Sequence, residues 1–203
     1  MSRRAILWLA VALVIALGAA GAAIGWIVIH GVSARDEPTV VETLLARRLR
    51  HLAIPAADRA LPNPLAVSEE ALRSGREHFA DHCAICHANN GSGETSLNQG
   101  LYPRAPDMRR SGTQDLSDGE IYWIIRNGIR LSGMPGWGGG TAHEDEETWG
   151  LVHFIRHLPA LTDRERIEME WLNPKSPGEI EAERAEQEFL SGGSDPGDKH
   201  HEH

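Results

Sequence analysis

Asp81–Gly93 reads "DHCAICHANNGSG" and holds both cysteines of the 203-residue chain, Cys83 and Cys86, with His87 directly after the second. Four chemistries use two thiols at this spacing. A structural zinc site takes four ligands, usually as two separated pairs, and there is no second cysteine pair. A thioredoxin-like redox disulfide belongs to a βαβ setting, whereas the chain has no alternating strand pattern of useful length. A structural disulfide across two residues closes a very small loop, stabilises little and leaves His87 without a role. Covalent haem attachment accounts for all three residues: the two thiols add across the haem vinyl groups and the histidine ligates the iron.

The flanking segments have clear helix punctuation. Ser68 is placed to cap a helix through "EEALRSGREHFADHCAICH". Ser117 and Glu120 make a capping box for "LSDGEIYWIIRNG", with Gly128 as its stop. A third helix is expected through "DEETWGLVHFIRHL", ending before Pro159. Between the first two runs a long loop rich in Gly, Asn and Pro, so the fold class is all-α. A domain of about 90 residues has a marginal apolar core of its own. Aromatic residues are only 5% of the chain, and a macrocycle bonded to Cys83 and Cys86 would supply the missing apolar volume.

Residues from about Ser68 to Leu158 resemble a class I monohaem cytochrome c. The resemblance is carried by Gly75 and Phe79 ahead of "CAICH", the loop "LYPRAPDM", the helix "DGEIYWIIRNGI", the segment "SGMPGWGG", and a last helix with Trp149 and Phe154. It implies a small cytochrome c fold around one covalent haem c, with Gly75 and Phe79 crossing Trp149 or Phe154. It covers under half of the chain, so partner and pathway do not follow from it.

The second axial ligand must be a methionine, a histidine or a similar donor, and the chain has four methionines. Met1 precedes the apolar run and Met169 lies in a charged segment past the last expected helix. Met108 is followed by Arg109 and Arg110, awkward company for buried iron, and is expected to pack near the haem. Met134 stands in "RLSGMPGWGGG", where Gly133, Gly136 and Gly138 permit close backbone approach and Pro135 stiffens the chain. The resemblance agrees, since the family's distal methionine commonly sits between Gly and Pro. The expected site is therefore Cys83, Cys86, His87 and Met134, with His87 and Met134 on the metal. Tyr102, Arg104 and Arg126 are candidates for the haem propionates or for ordinary surface pairing.

Outside this region, Ala5–Ile29 contains no charged residue and is long enough to cross a bilayer. Arg3 and Arg4 precede it, which leaves the N-terminus in the cytoplasm and puts the rest on the periplasmic side of a cell inner membrane, as a single-pass protein. Small residues at Ala20–Ala23 allow a cleaved signal peptide, but the apolar run continues beyond them and favours a retained anchor. The expected organisation is an anchor over 1–31, an amphipathic helix and Pro-rich linker over 32–67, the cytochrome domain over 68–160, and an acidic, partly disordered extension over 161–203.

From Thr141 onward there are 16 acidic and 6 basic residues, against 13 and 14 before it, so the net charge of -9 sits in the last third. No basic patch suits nucleic acid. The function expected is single-electron transfer between a redox protein donor and acceptor, without a small-molecule substrate and not itself enzymatic. A cytochrome subunit of a larger membrane oxidoreductase is the close variant. A haem sensor or enzyme with an open sixth position is a rival, and so is metal handling by His200, His201 and His203 with His153 and His157. The acidic tail either steers a basic partner or merely solvates.

Overall fold

The computed structural model describes residues 2–190, and among these every regular element is helical. Helix α1, Arg3–His30, is capped by Ser2 and ended by Gly31 at φ 78°. At 28 residues it is about 42 Å long, more than the roughly 30 Å hydrocarbon core of a bilayer, and its apolar side chains are exposed. It is the one helix among the described residues long and apolar enough to cross a membrane.

Helix α2, Val40–Ala53, starts at a Thr39–Glu42 capping box, and a single turn, α3, follows at Ala56–Arg59. Helix α4, Glu69–His78, is capped by Ser68 and runs into a π-helical turn, Phe79–Cys83, and then α5, Ala84–His87. A π turn inserts one extra residue, which rotates everything after it by roughly 100° relative to the α4 face. Gly75 and Phe79 thereby keep to one neighbour while His87 turns into the interior. Helices α6 (Ser111–Gln114) and α7 (Asp118–Asn127) follow a long loop. The Ser117–Glu120 capping box opens α7 and Gly128, at φ 69°, closes it.

Helix α8, Ala142–His157, crosses α4 at two glycines. A Cβ on Gly75 would stand 2.3 Å from the Gly150 carbonyl oxygen and 3.0 Å from Phe154 Cβ, so no larger residue permits this approach. Phe79 packs on Phe154 at 5.2 Å between ring centroids, while Trp149 stacks instead on Tyr122 of α7 at 4.1 Å. Phe154 is thus the aromatic partner at the crossing, and Trp149 joins α8 to α7.

Two further helices lie beyond α8. Helix α9, Asp163–Leu172, opens at a Thr162–Glu165 capping box and buries Met169 completely. Met169 does lie in a charged segment past α8, but that segment is helical and the side chain belongs to the main core. Glu165 accepts from Arg76 and contacts His157, tying α9 to α4 and α8. Helix α10 spans Pro177–Leu190. The histidines His200, His201 and His203 lie outside the described residues.

The segment before α4 is held along the domain formed by α4–α8. Arg104 pairs with Glu37 at 2.6 Å and also donates to the Arg35 carbonyl. His51 Nδ1 meets Glu120 at 2.8 Å, and the Ser117 hydroxyl donates to the Arg59 carbonyl at 2.7 Å. Gly119 lies so close to the α3 backbone that a Cβ would come within 2.0 Å of the Asp58 oxygen. Residues 35–61 therefore form a strap across loop 101–106 and α7.

Candidate functional site

The thiols and His87 sit where the π turn delivers them. Cys83 and Cys86 are free and partly buried, and Ala84 and His87 are buried between them and the core. Burial pushes the Cys83 thiol up to about 12, with the Cys86 sulfur adding to it, and burial raises Cys86 as well. Both are protonated, neutral thiols at physiological pH. No cluster of three ligating side chains that could hold a metal ion occurs among the described residues.

Burial also lowers the His87 ring to about 4, against a small opposing pull from the Pro106 carbonyl, so the imidazole is neutral. Its Nδ1 is buried without a hydrogen-bond partner of normal geometry. A neutral buried imidazole beside two neutral thiols and an apolar cluster is the donor set a covalently bound haem requires. The residues present fit that group.

The loop between α5 and α6 is clamped by Asn98. Its Nδ2 donates to the Gly93 and Ala105 carbonyls at 2.5 and 3.1 Å, and its Oδ1 accepts from the Ala105 amide at 2.5 Å. The Gly93 amide bonds the His87 carbonyl and the Met108 amide bonds the Gly91 carbonyl, both at 2.8 Å. These bonds hold Pro106 near the His87 ring and bring Met108 into the core, where it is 9% exposed.

Met134 is presented by a loop folded back on the end of α7. The Ile129 amide donates to the Met134 carbonyl at 3.2 Å, and the Trp137 amide to Ile125 at 2.9 Å. Gly128 permits this fold, since a Cβ there would lie 2.7 Å from the Met134 oxygen. The side chains of Met134 and Cys83 are partly buried, and both border the main apolar core of the domain.

The His82 ring stacks on Trp137 at 5.0 Å, and His78 meets both rings edge-on. This cluster ties the methionine loop to the thiol helix and was missed at the level of sequence. The only local signal was two histidines at i, i+4, the second directly before Cys83.

Other expected candidates have different roles. Arg104 is spent on Glu37, Tyr102 faces Glu42, and Arg126 bonds the Tyr122 hydroxyl and pairs with Asp145. His153 contacts the Leu65 carbonyl through Nε2, and His157 contacts Glu165, so the i, i+4 pair is structural and not a metal site.

The family model described as "Cytochrome C oxidase, cbb3-type, subunit III" matches residues 70–155. Among solved structures, a chain of the reducing HAO-like protein complex of Kuenenia stuttgartiensis is similar at 21% identity and a TM-score of 0.42. The match covers 51% of this chain and 50% of that one. No curated protein matches.

Proposed function

We propose that the chain carries single electrons through one haem, bonded to Cys83 and Cys86 and ligated by His87 and Met134, a reading supported by the match of residues 70–155 to a cytochrome family model. The haem, when bound, supplies a reversible one-electron couple. The chain's own residues do the rest. His87 offers an uncharged nitrogen because burial disfavours its proton, and loop 88–110 restrains the ring. The thiols of Cys83 and Cys86 stand about one helical turn apart, and as neutral thiols they would hold the group by adding across its vinyl substituents.

The observation that carries the reading is the Met134 loop, hydrogen-bonded back onto α7 and packed on the apolar cluster that Cys83 borders. A loop fixed this firmly suits a ligand that stays in place in both oxidation states. It argues against an open sixth position. A neutral thioether favours the reduced metal and raises the potential relative to two histidines. Met134→Leu is expected to abolish the near-infrared methionine-to-iron band of the oxidised protein, while Met108→Leu keeps it. The band surviving in Met134→Leu would remove Met134 from the site.

We place the domain on the periplasmic side of an inner membrane with α1 as its single span, on the strength of Arg3 and Arg4 ahead of the apolar run. Its partners are redox proteins. The matching family description names a subunit of an oxidase, which favours, as a second reading, a cytochrome subunit of a larger membrane oxidoreductase over a free carrier. Co-purification of the tagged full chain from membranes separates the two.

A further inference from the structure

Helix α2 turns polar groups toward the cytochrome domain and apolar groups away from it. His51 bonds Glu120, and Arg50, half-buried, feels the same carboxylate. The Arg47 guanidinium lies 3.5 Å from where a Cβ on Gly112 would stand. Val41, Leu44, Leu45, Leu49 and Leu52 are 56–73% exposed, and α2 contributes no buried residue. At about 100° per residue these five fall in an arc of about 140° opposite Arg50. A helix whose polar side is docked and whose apolar side is bare has its true environment outside the domain.

We propose that this face lies in the headgroup region of the bilayer that α1 crosses, so that the cytochrome domain rests on the membrane through α2. The inference builds on the membrane-spanning reading of α1. Only nine residues, Gly31–Thr39, separate the two helices, a reach of at most about 30 Å, so α2 is confined near the surface where α1 emerges. The charge pattern fits the same occupant. In a chain of net charge -9, α2 carries Arg47, Arg48 and Arg50 against the single acid Glu42. Leucines on one side with arginines along the flank are the pattern of a helix lying in a lipid interface, and Arg48, within the apolar arc, is long enough to extend its charge to the phosphates.

The test uses the haem-loaded full chain in vesicles of phosphatidylcholine and phosphatidylglycerol. An environment-sensitive nitrobenzoxadiazole probe is attached to single cysteines made by Leu45→Cys, Leu52→Cys, Ala46→Cys, Ala53→Cys and, within α1, Leu13→Cys. The unsubstituted chain, whose own thiols are taken up by haem, is the blank. Probes at positions 45 and 52 are expected to shift emission to the blue and to be quenched by nitroxide-bearing lipid, and those at 46 and 53 to do neither. Water-like emission at 45 and 52 with lipid quenching at 13 would overturn the surface contact and leave the spanning helix standing. A blue shift at 45 and 52 without lipid quenching would also overturn it, in favour of contact with a second copy. Loss of lipid quenching at 13 would bring down the membrane reading and this inference together.

Discussion

Gly75 shows how much of the architecture rests on single atoms. An added Cβ would collide with the Gly150 backbone, which has no rotamer by which to yield, so α4 and α8 must part. Gly75→Ala is expected to cost about 3 kcal/mol, the upper part of the range for overpacked cores, in a denaturant titration followed by the haem absorbance. Gly178→Ala, with nothing within 4 Å of its Cβ, is the control and should change stability by less than about 1 kcal/mol. The crossing at Gly75 was expected from the resemblance to a family, and Cys83, Cys86 and His87 stood out in the sequence because they form one short motif. The stacking of His82 on Trp137 was not, because it joins a helix to a loop more than fifty positions away and no local pattern encodes it.

At the scale of elements, capping chemistry explains what could be read. Ser68, the Ser117–Glu120 pair and Gly128 mark the helix ends where the structure has them, because each satisfies backbone groups within one turn. Helix α9 was harder: of its apolar residues only Met169 is buried, and that burial depends on α4 and the π turn. The strap was invisible, since its bonds to the domain span up to 69 positions. Its strength should depend on pH. Burial alone would raise the Glu120 carboxyl, but the Ser117 amide and the His51 ring outweigh it and hold the group below its ordinary value of 4.5. A depressed carboxyl stabilises fully above that ordinary value, and the stabilisation is lost as pH falls through the lower folded value. The coupling between His51→Ala and Glu120→Gln, read from hydrogen exchange of the α2 amides, is expected to be about 1 kcal/mol near neutral pH, limited by exposure of the His51 ring. It should fade as pH falls through the lowered folded value and the carboxyl takes up its proton. A coupling that stays constant across that range would assign the strap's attachment to packing alone.

For the whole molecule, the core continues past α8, and truncation should reveal where it ends. Deleting 177–203 removes α10 and the acidic end, which leaves the buried cluster intact, so the melting temperature of the haem-loaded chain should move by no more than a few degrees. Deleting 163–203 also strips Met169 from the core and Glu165 from Arg76 and His157, and a loss of about 2–5 kcal/mol is expected for the methionine alone. Equal melting temperatures for the two truncations would show that α9 adds nothing to the fold. The strap has a different kind of consequence. Because the chain is pinned to the domain from Arg35 and Glu37 onward, the slack between α1 and the first attachment is Gly31–Ala34, a leash of about 14 Å at full stretch. With α1 in a bilayer, a domain on so short a leash cannot commute between a distant donor and acceptor. Traffic in electrons must then come from partners that travel to it, or from the whole chain drifting in the plane of the membrane.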